Sequence, residues 1–218
     1  MTERPILFSG PMVRALLDGR KTQTRRIIKP QPDWDLPEPC CSTTVEGWQG
    51  PIDRATWACN ADPTADLRRC PYGGPGDSLW VKETWRPRPA QQDWDLDVRY
   101  AADGEVRTIK DGEFGDRDWL MPKAARTGNV SPLFMPRWAS RLTLDITDIK
   151  AERLQDISEA DALAEGTQEP SLRDLGGDLT QAAWSERHVY SRLWKHINGP
   201  TSWDANPWVW AVTFTVRT

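Results

Sequence analysis

The chain has 218 residues, enough to bury one sizeable core, and carries 28 Lys+Arg against 32 Asp+Glu for a formal net charge of −4. That balance excludes a generic polyanion binder, so any nucleic-acid contact has to come from a local patch. Met1–Gly10 hold no apolar run of signal-peptide length, and no later stretch is long enough to span a bilayer. A soluble, cytoplasmic protein with reduced cysteines is therefore expected.

In chain order, Pro5 to Phe8 reads as a short strand. Ser9 or Gly10 caps a helix with Pro11 in its first turn. Val13, Leu16 and Leu17 give that helix an apolar face, and Gly19 ends it. Residues 30–75 are rich in Pro, Asp and Trp without a period. They predict an irregular insertion pinned by Trp34, Trp48 and Trp57. The turn Gly73-Gly74-Pro75-Gly76-Asp77 launches one strand from Ser78 to Trp85, with Leu79, Val81 and Trp85 on one face. Residues 86–133 read as a second irregular insertion, with one short strand near Val98 to Ala101. Leu142, Leu144 and Ile146 then alternate with Thr143 and Asp145, and Ile149 falls out of phase, which predicts a bulge or bend.

Ser158 caps a helix behind Ile157, and Gly166 ends it. After a linker with Gly176-Gly177, Tyr190, Leu193, Trp194 and Ile197 recur at helical spacing up to Asn198-Gly199-Pro200. In the last strand Trp208, Trp210, Val212, Phe214 and Val216 line one face, with Val209, Ala211, Thr213 and Thr215 on the other. Few strands, short helices and long insertions predict an α+β fold. It is a single domain over 1–218, built on a small bent sheet or barrel.

The stretch Gly19-Arg20-Lys21-Thr22-Gln23-Thr24-Arg25-Arg26 concentrates the chemistry. It sets a lysine and two threonine hydroxyls beside an arginine pair, within a basic patch that also holds Arg14 and Lys29. In a dry neighbourhood a lysine amine falls towards neutrality and acts as a base; in an open one the same stretch is a solvated basic turn. Glu165 is a second candidate. It sits in the last turn of a helix, where the macrodipole disfavours a carboxylate, and a locally unfavourable residue can serve function elsewhere. A solvent-exposed Glu at a frayed end is the competing reading.

Cys40, Cys41, Cys59 and Cys70 raise the question of zinc, but they lack paired Cys-x-x-Cys knuckles, and buried thiols are the simpler reading. His188 and His196 share a helix face without further ligands. There is no GxGxxG, P-loop, HExxH or GxSxG motif. No metal and no cofactor are expected. Of the thirteen tryptophans most belong in cores, and a few offer faces on which a base can stack.

The pattern Gly19, Lys21, Thr24, Arg26 after a short helix resembles the G-x-K-x-x-[TE]-x-R signature of the ASCH domain, a member of the PUA-like superfamily of small β-barrels. Gly76-Asp77-Ser78-Leu79 is similar to the family's second stretch. The strings "LFSGPMVRALLDGRKTQTRR", "CPYGGPGDSLWVKETW" and "LWKHINGPTSWDANPWVWAVTF" look like those of phage- and prophage-encoded ASCH proteins. The resemblance spans the chain apart from the two insertions. It implies a bent PUA-like β-barrel flanked by short helices.

Small bacterial ASCH proteins with a similar segment remove the acyl group from N4-acetylcytidine. Carried over, their lysine, threonine and glutamate fall on Lys21, Thr24 and Glu165 as catalytic residues. Arg26, Arg25 and a stacking Trp80 become substrate-binding. The implied partner is a modified nucleoside or short RNA. A non-catalytic RNA- or nucleotide-binding module and a ribonuclease are the alternatives. A regular strand would point Lys21 and Thr24 to opposite faces, so the chemistry requires a turn or irregular backbone at residues 20–22.

Overall fold

The computed structural model describes residues 1–31, 56–57, 68–90, 95–113, 120–167 and 185–217, those at 56–57 and 68–69 by backbone alone. The fold is mixed α+β. Strand β1 (Glu3–Leu7) passes through the N-cap Ser9 into helix α1 (Gly10–Leu17), followed by β2 (Gln23–Ile27). Two-residue strands β3 (Thr56–Trp57) and β4 (Arg68–Arg69) form a small ladder. Next come β5 (Ser78–Lys82), β6 (Trp85–Pro89), β7 (Leu96–Tyr100), β8 (Val106–Ile109) and the long β9 (Thr143–Arg153). Helix α2 (Glu159–Ala164), helix α3 (Glu186–Asn198) and β10 (Trp208–Arg217) complete the order. Among the described residues no helix is long and apolar enough to cross a membrane.

The main sheet has the order β1-β5-β9-β10-β2. Its β1–β5 pair is parallel and its other neighbours are antiparallel. In a flat sheet the outer strands β1 and β2 would lie roughly 19 Å apart, four spacings of about 4.8 Å. Instead Arg26 of β2 donates from Nη2 to the Leu7 carbonyl of β1 at 2.7 Å. The sheet therefore curls until its edges face each other, and a side chain rather than a backbone ladder spans the gap. Part of the bend comes from a bulge. The register slips from Thr213↔Asp148 to Phe214↔Ile146, leaving Thr147 as the extra residue, as the out-of-phase Ile149 predicts.

Ile6, Leu16, Leu79, Val81, Leu144, Val212 and Phe214 sit in the core of this sheet. The interior strand β10 buries Val209 and Ala211 as well as Trp208, Trp210 and Val212, so its first half is covered on both faces. Leu17, expected on the inner face of α1, is 41% exposed; Met12 and Ala15 are buried there instead.

Two expectations need correction. The single strand over Ser78–Trp85 breaks at Glu83 and Thr84 into β5 and β6, which belong to different sheets. Leu79 and Val81 enter the main core, while Trp85 enters a second one. The described residues of 86–133 are also not irregular throughout. They supply most of an antiparallel β6-β7-β8 sheet that packs Trp85, Val98, Tyr100 and Ile109 against Ala125, Val130, Met135 and Ala139. Pro87 and Pro89 hid this from the sequence. A strand tolerates proline at a sheet edge, which is where β6 lies.

Arg141 joins the two bodies. It grips Glu83 with Nε and Nη2 at 2.9 and 3.0 Å, reaches Asp103 at 2.7 Å, and lies 4.1 Å over the Tyr100 ring. Most of the insertion expected at 30–75 lies outside the described residues, including Trp34, Trp48, Cys40, Cys41 and Cys59. Cys70 is buried, and burial pushes its thiol up to about 11.

Candidate functional site

The site is assembled where the turn after α1 meets the end of α2. Gly19 takes φ +68°, a left-handed conformation that Cβ-bearing residues resist. The chain then doubles back, and the Arg20 and Lys21 amides both donate to the Ala15 carbonyl. On its other side the Thr22 amide donates to Ala164 O, and Lys21 forms an isolated bridge with Glu165. The regular ladder of β2 begins only at Gln23. Residues 20–22 thus have the irregular backbone that brings Lys21 and Thr24 to one pocket.

Helix α2 is capped by Ser158, whose hydroxyl accepts from the Asp161 amide, and it ends on Glu165. Gly166 follows at φ +85°, where a Cβ would lie 3.0 Å from Ala15 Cβ and 3.2 Å from Lys21 Cβ. Glycine is what lets the two segments touch.

Lys21 is 1% exposed and Glu165 4%. The ammonium gives one bond to Glu165 Oε2 at 2.7 Å, one to Glu165 O at 2.8 Å and one to Gln23 O at 2.8 Å, which uses all its donors. Burial pulls Lys21 below the ordinary lysine range. Glu165 opposes that shift, and Arg26 and Arg25 reinforce it.

The other carboxylate oxygen, Oε1, faces Arg25 Nη1 at 3.3 Å and the Tyr190 hydroxyl at 3.4 Å. Arg25 is itself held by Glu152 Oε1 at 2.7 Å, by Gln23 Oε1 at 2.6 Å and, more distantly, by Asp161 at 3.5 Å. Lys150 closes the outer edge of this network against Glu152 and Asp161. The charge at the helix end that the macrodipole disfavours is thus compensated by two buried cations.

Lys21, Thr24, Arg25, Arg26 and Glu165 all line one cavity of about 210 Å³. Phe8 and Met12 from α1 and its approach, and Tyr190, Leu193, Trp194 and Ile197 from α3, form its other walls. Arg26 lies 5.2 Å over the Phe8 ring. The Nε–H of Arg26 and the indole N–H of Trp194 are buried and have no acceptor among the described residues.

The structure brings together the residues expected at the site with one exception. Trp80 lies on β5, paired with Pro5 and Thr143 and stacked by Lys82 at 5.3 Å, and it is not among the residues lining this cavity. The aromatic wall comes from α3 instead. Tyr190 and Trp194 were legible only as part of an apolar helical stripe, because a pocket wall has the same spacing as a core face. The signal available was chemical: a tyrosine in a buried stripe needs a partner for its hydroxyl. His188 and His196 are both exposed on α3, and no cluster of metal-ligating side chains occurs among the described residues.

No protein-family model, no curated protein and no solved structure matches the chain.

Proposed function

We propose that the protein is an ASCH-type, PUA-like hydrolase that removes the acyl group from an N4-acylated cytosine nucleoside or a similar modified base. The convergence of Lys21, Thr24 and Glu165 on one small cavity carries the reading. Small-molecule pockets usually hold about 300–1,000 Å³. A cavity of about 210 Å³ suits a single base with a short substituent better than a stretch of polynucleotide. Arg26 and Trp194, two residues of the cavity wall, each hold a buried N–H without an acceptor among the described residues; such a donor costs about 1–3 kcal/mol unpaired, which a ligand oxygen reaching it would recover. The curled main sheet, with both edges on the same cavity, is what an incompletely closed PUA-like barrel would present.

The chemistry follows from the proton inventory. Lys21 with all donors engaged is no base until it loses a proton, and Glu165 Oε2 at 2.7 Å is the acceptor that faces it. Transfer gives a neutral amine and a neutral acid, a pair that a dry site tolerates. The amine then takes the proton of the attacking hydroxyl, either from Thr24 or from water, as its oxygen bonds to the acyl carbon. As the C–N4 bond breaks, the Glu165 acid protonates the departing amine. If Thr24 attacks, water hydrolyses the resulting ester. Arg25 stays charged throughout and balances the carboxylate.

A module that binds such a base without cleaving it is the second reading, favoured by the full engagement of Lys21 at rest. Incubation with a panel of N4-acylated cytosine nucleosides, followed by chromatography, separates the two. The hydrolase reading expects the free cytosine nucleoside to accumulate; binding of the panel with every substrate recovered intact would replace it with the second.

A further inference from the structure

We propose that Tyr190 is a positioning residue of this site, whose hydroxyl holds Glu165 Oε1 so that the proton leaving Lys21 settles on Oε2. The contact is independent of the hydrolase reading, while its consequence for turnover rests on it.

The two oxygens of Glu165 have different neighbours. Oε2 faces the Lys21 amine at 2.7 Å, whereas Oε1 faces Arg25 at 3.3 Å and Tyr190 at 3.4 Å. A proton on Oε1 would meet a guanidinium that has no lone pair, and would force the Tyr190 O–H to turn away. A proton on Oε2 faces the amine that gives it. Tyr190 is 3% exposed, and burial followed by the nearby carboxylate pushes its hydroxyl well above the ordinary range, so it remains a donor at every working pH.

The ring is fixed by Trp194 and Trp203, with centroids 6.1 and 6.2 Å away. Helix α3 is tied to α2 by the Arg187 amide to Glu159 Oε2 at 3.2 Å, and to the turn after α2 by Thr167 Oγ1 to Glu186 Oε2 at 2.5 Å. The hydroxyl is thereby carried to the carboxylate by packing that a phenylalanine would preserve. The charged groups around the pair are Arg25 and Arg26 from β2, Asp161 from α2, and Glu152 and Lys150 from β9. None of them changes in the test.

The test compares wild type with Tyr190→Phe. Removing a donor from the carboxylate leaves more of its negative charge facing Lys21, so the Lys21 amine should hold its proton to higher pH. The expected rise is about 0.5–1 pH unit, less than a hydrogen bond of ordinary length to a charged group supplies, because the contact is long. Nitrogen-15 NMR of the Lys21 amine reads this midpoint without substrate. On an acylated cytosine substrate both limbs of the pH–rate profile should move the same way. There kcat should fall roughly tenfold and KM should stay within twofold.

Biosynthetic 3-fluorotyrosine, a stronger donor, should move the midpoint down, and it serves if the phenylalanine variant folds poorly. Unchanged midpoints in both proteins would overturn the proposal. If wild type cleaves no acylated base, the hydrolase reading fails, while the NMR midpoint still decides the role of Tyr190.

Discussion

Lys21→Met probes the buried pair through stability. The substitution keeps the stem and deletes the ammonium, leaving Glu165 4% exposed with Arg25 and Tyr190 as the remaining partners of its carboxylate among the described residues. Gln23 O and Glu165 O lose their donor as well. Removing one partner of a buried pair costs about 3–5 kcal/mol. Arg25 still faces the carboxylate, so the lower end, about 3 kcal/mol, applies. At roughly 2–4 °C per kcal/mol for a chain of this size, Tm should fall by about 6–12 °C. Adding Glu165→Leu removes the stranded charge, and Arg25 retains Glu152 and Asp161.

Buried pairs replaced by apolar groups are often neutral or more stable by about 1–4 kcal/mol. The double variant should therefore regain at least half of the loss, with a coupling of about 1.5 kcal/mol or more. Urea and thermal unfolding of wild type, both single variants and the double variant measure this. Additive losses, or no loss in Lys21→Met, would refute the reasoning, because either means that the pair is not desolvated. Turnover should be absent from all three variants whatever their stability.

Gly166→Ala should destabilise by about 1–2 kcal/mol, since its φ of +85° is left-handed and the new Cβ would press on Ala15 and Lys21; activity should fall with it, and wild-type stability would contradict the close approach. Phe214→Ala, at a residue 1% exposed beside the bulge, should cost about 3–5 kcal/mol in chemical denaturation. Asp77 accepts from the Thr2 and Gly74 amides and pairs with Arg4, and those contacts, the Thr2 bonds foremost, hold its carboxyl at about 2. Its folded value is depressed, so its stabilisation is complete above the unfolded value of about 3.9 and is lost as pH falls through about 2. Asp77→Asn should flatten that stretch of a stability–pH curve and lower the plateau above about pH 5, where the wild-type stabilisation is complete.

Local patterns were legible where one residue type forces one geometry. Gly19 after an apolar helix marked the turn that frees Lys21 from a regular strand, and Ser158 with Gly166 bracketed the short helix that presents Glu165. The out-of-phase Ile149 announced the bulge at Thr147. What stayed hidden depends on distant partners. No local pattern tells that β1 runs parallel to β5, or that the break at Glu83 and Thr84 hands the chain from one sheet to another. The alternating prolines of β6 masked an edge strand. Trp80 and Trp194 could not be ranked by sequence, because strand and helix periodicity reports which residues share a face but not which cavity that face meets. The ion-pair network behind the site, Arg25 with Glu152 and Asp161, likewise joins three elements far apart in the chain.

The central claim is that the Lys21 amine moves a proton during deacylation, and the most direct measurement is turnover of an N4-acylated cytidine by wild type and by Lys21→Arg. The guanidinium keeps the positive charge but cannot give up a proton near neutral pH. The account predicts free cytidine from wild type and none from Lys21→Arg. Turnover by Lys21→Arg at the wild-type rate, or ligand binding equal in the two proteins with no product from wild type on any acylated base, would contradict it.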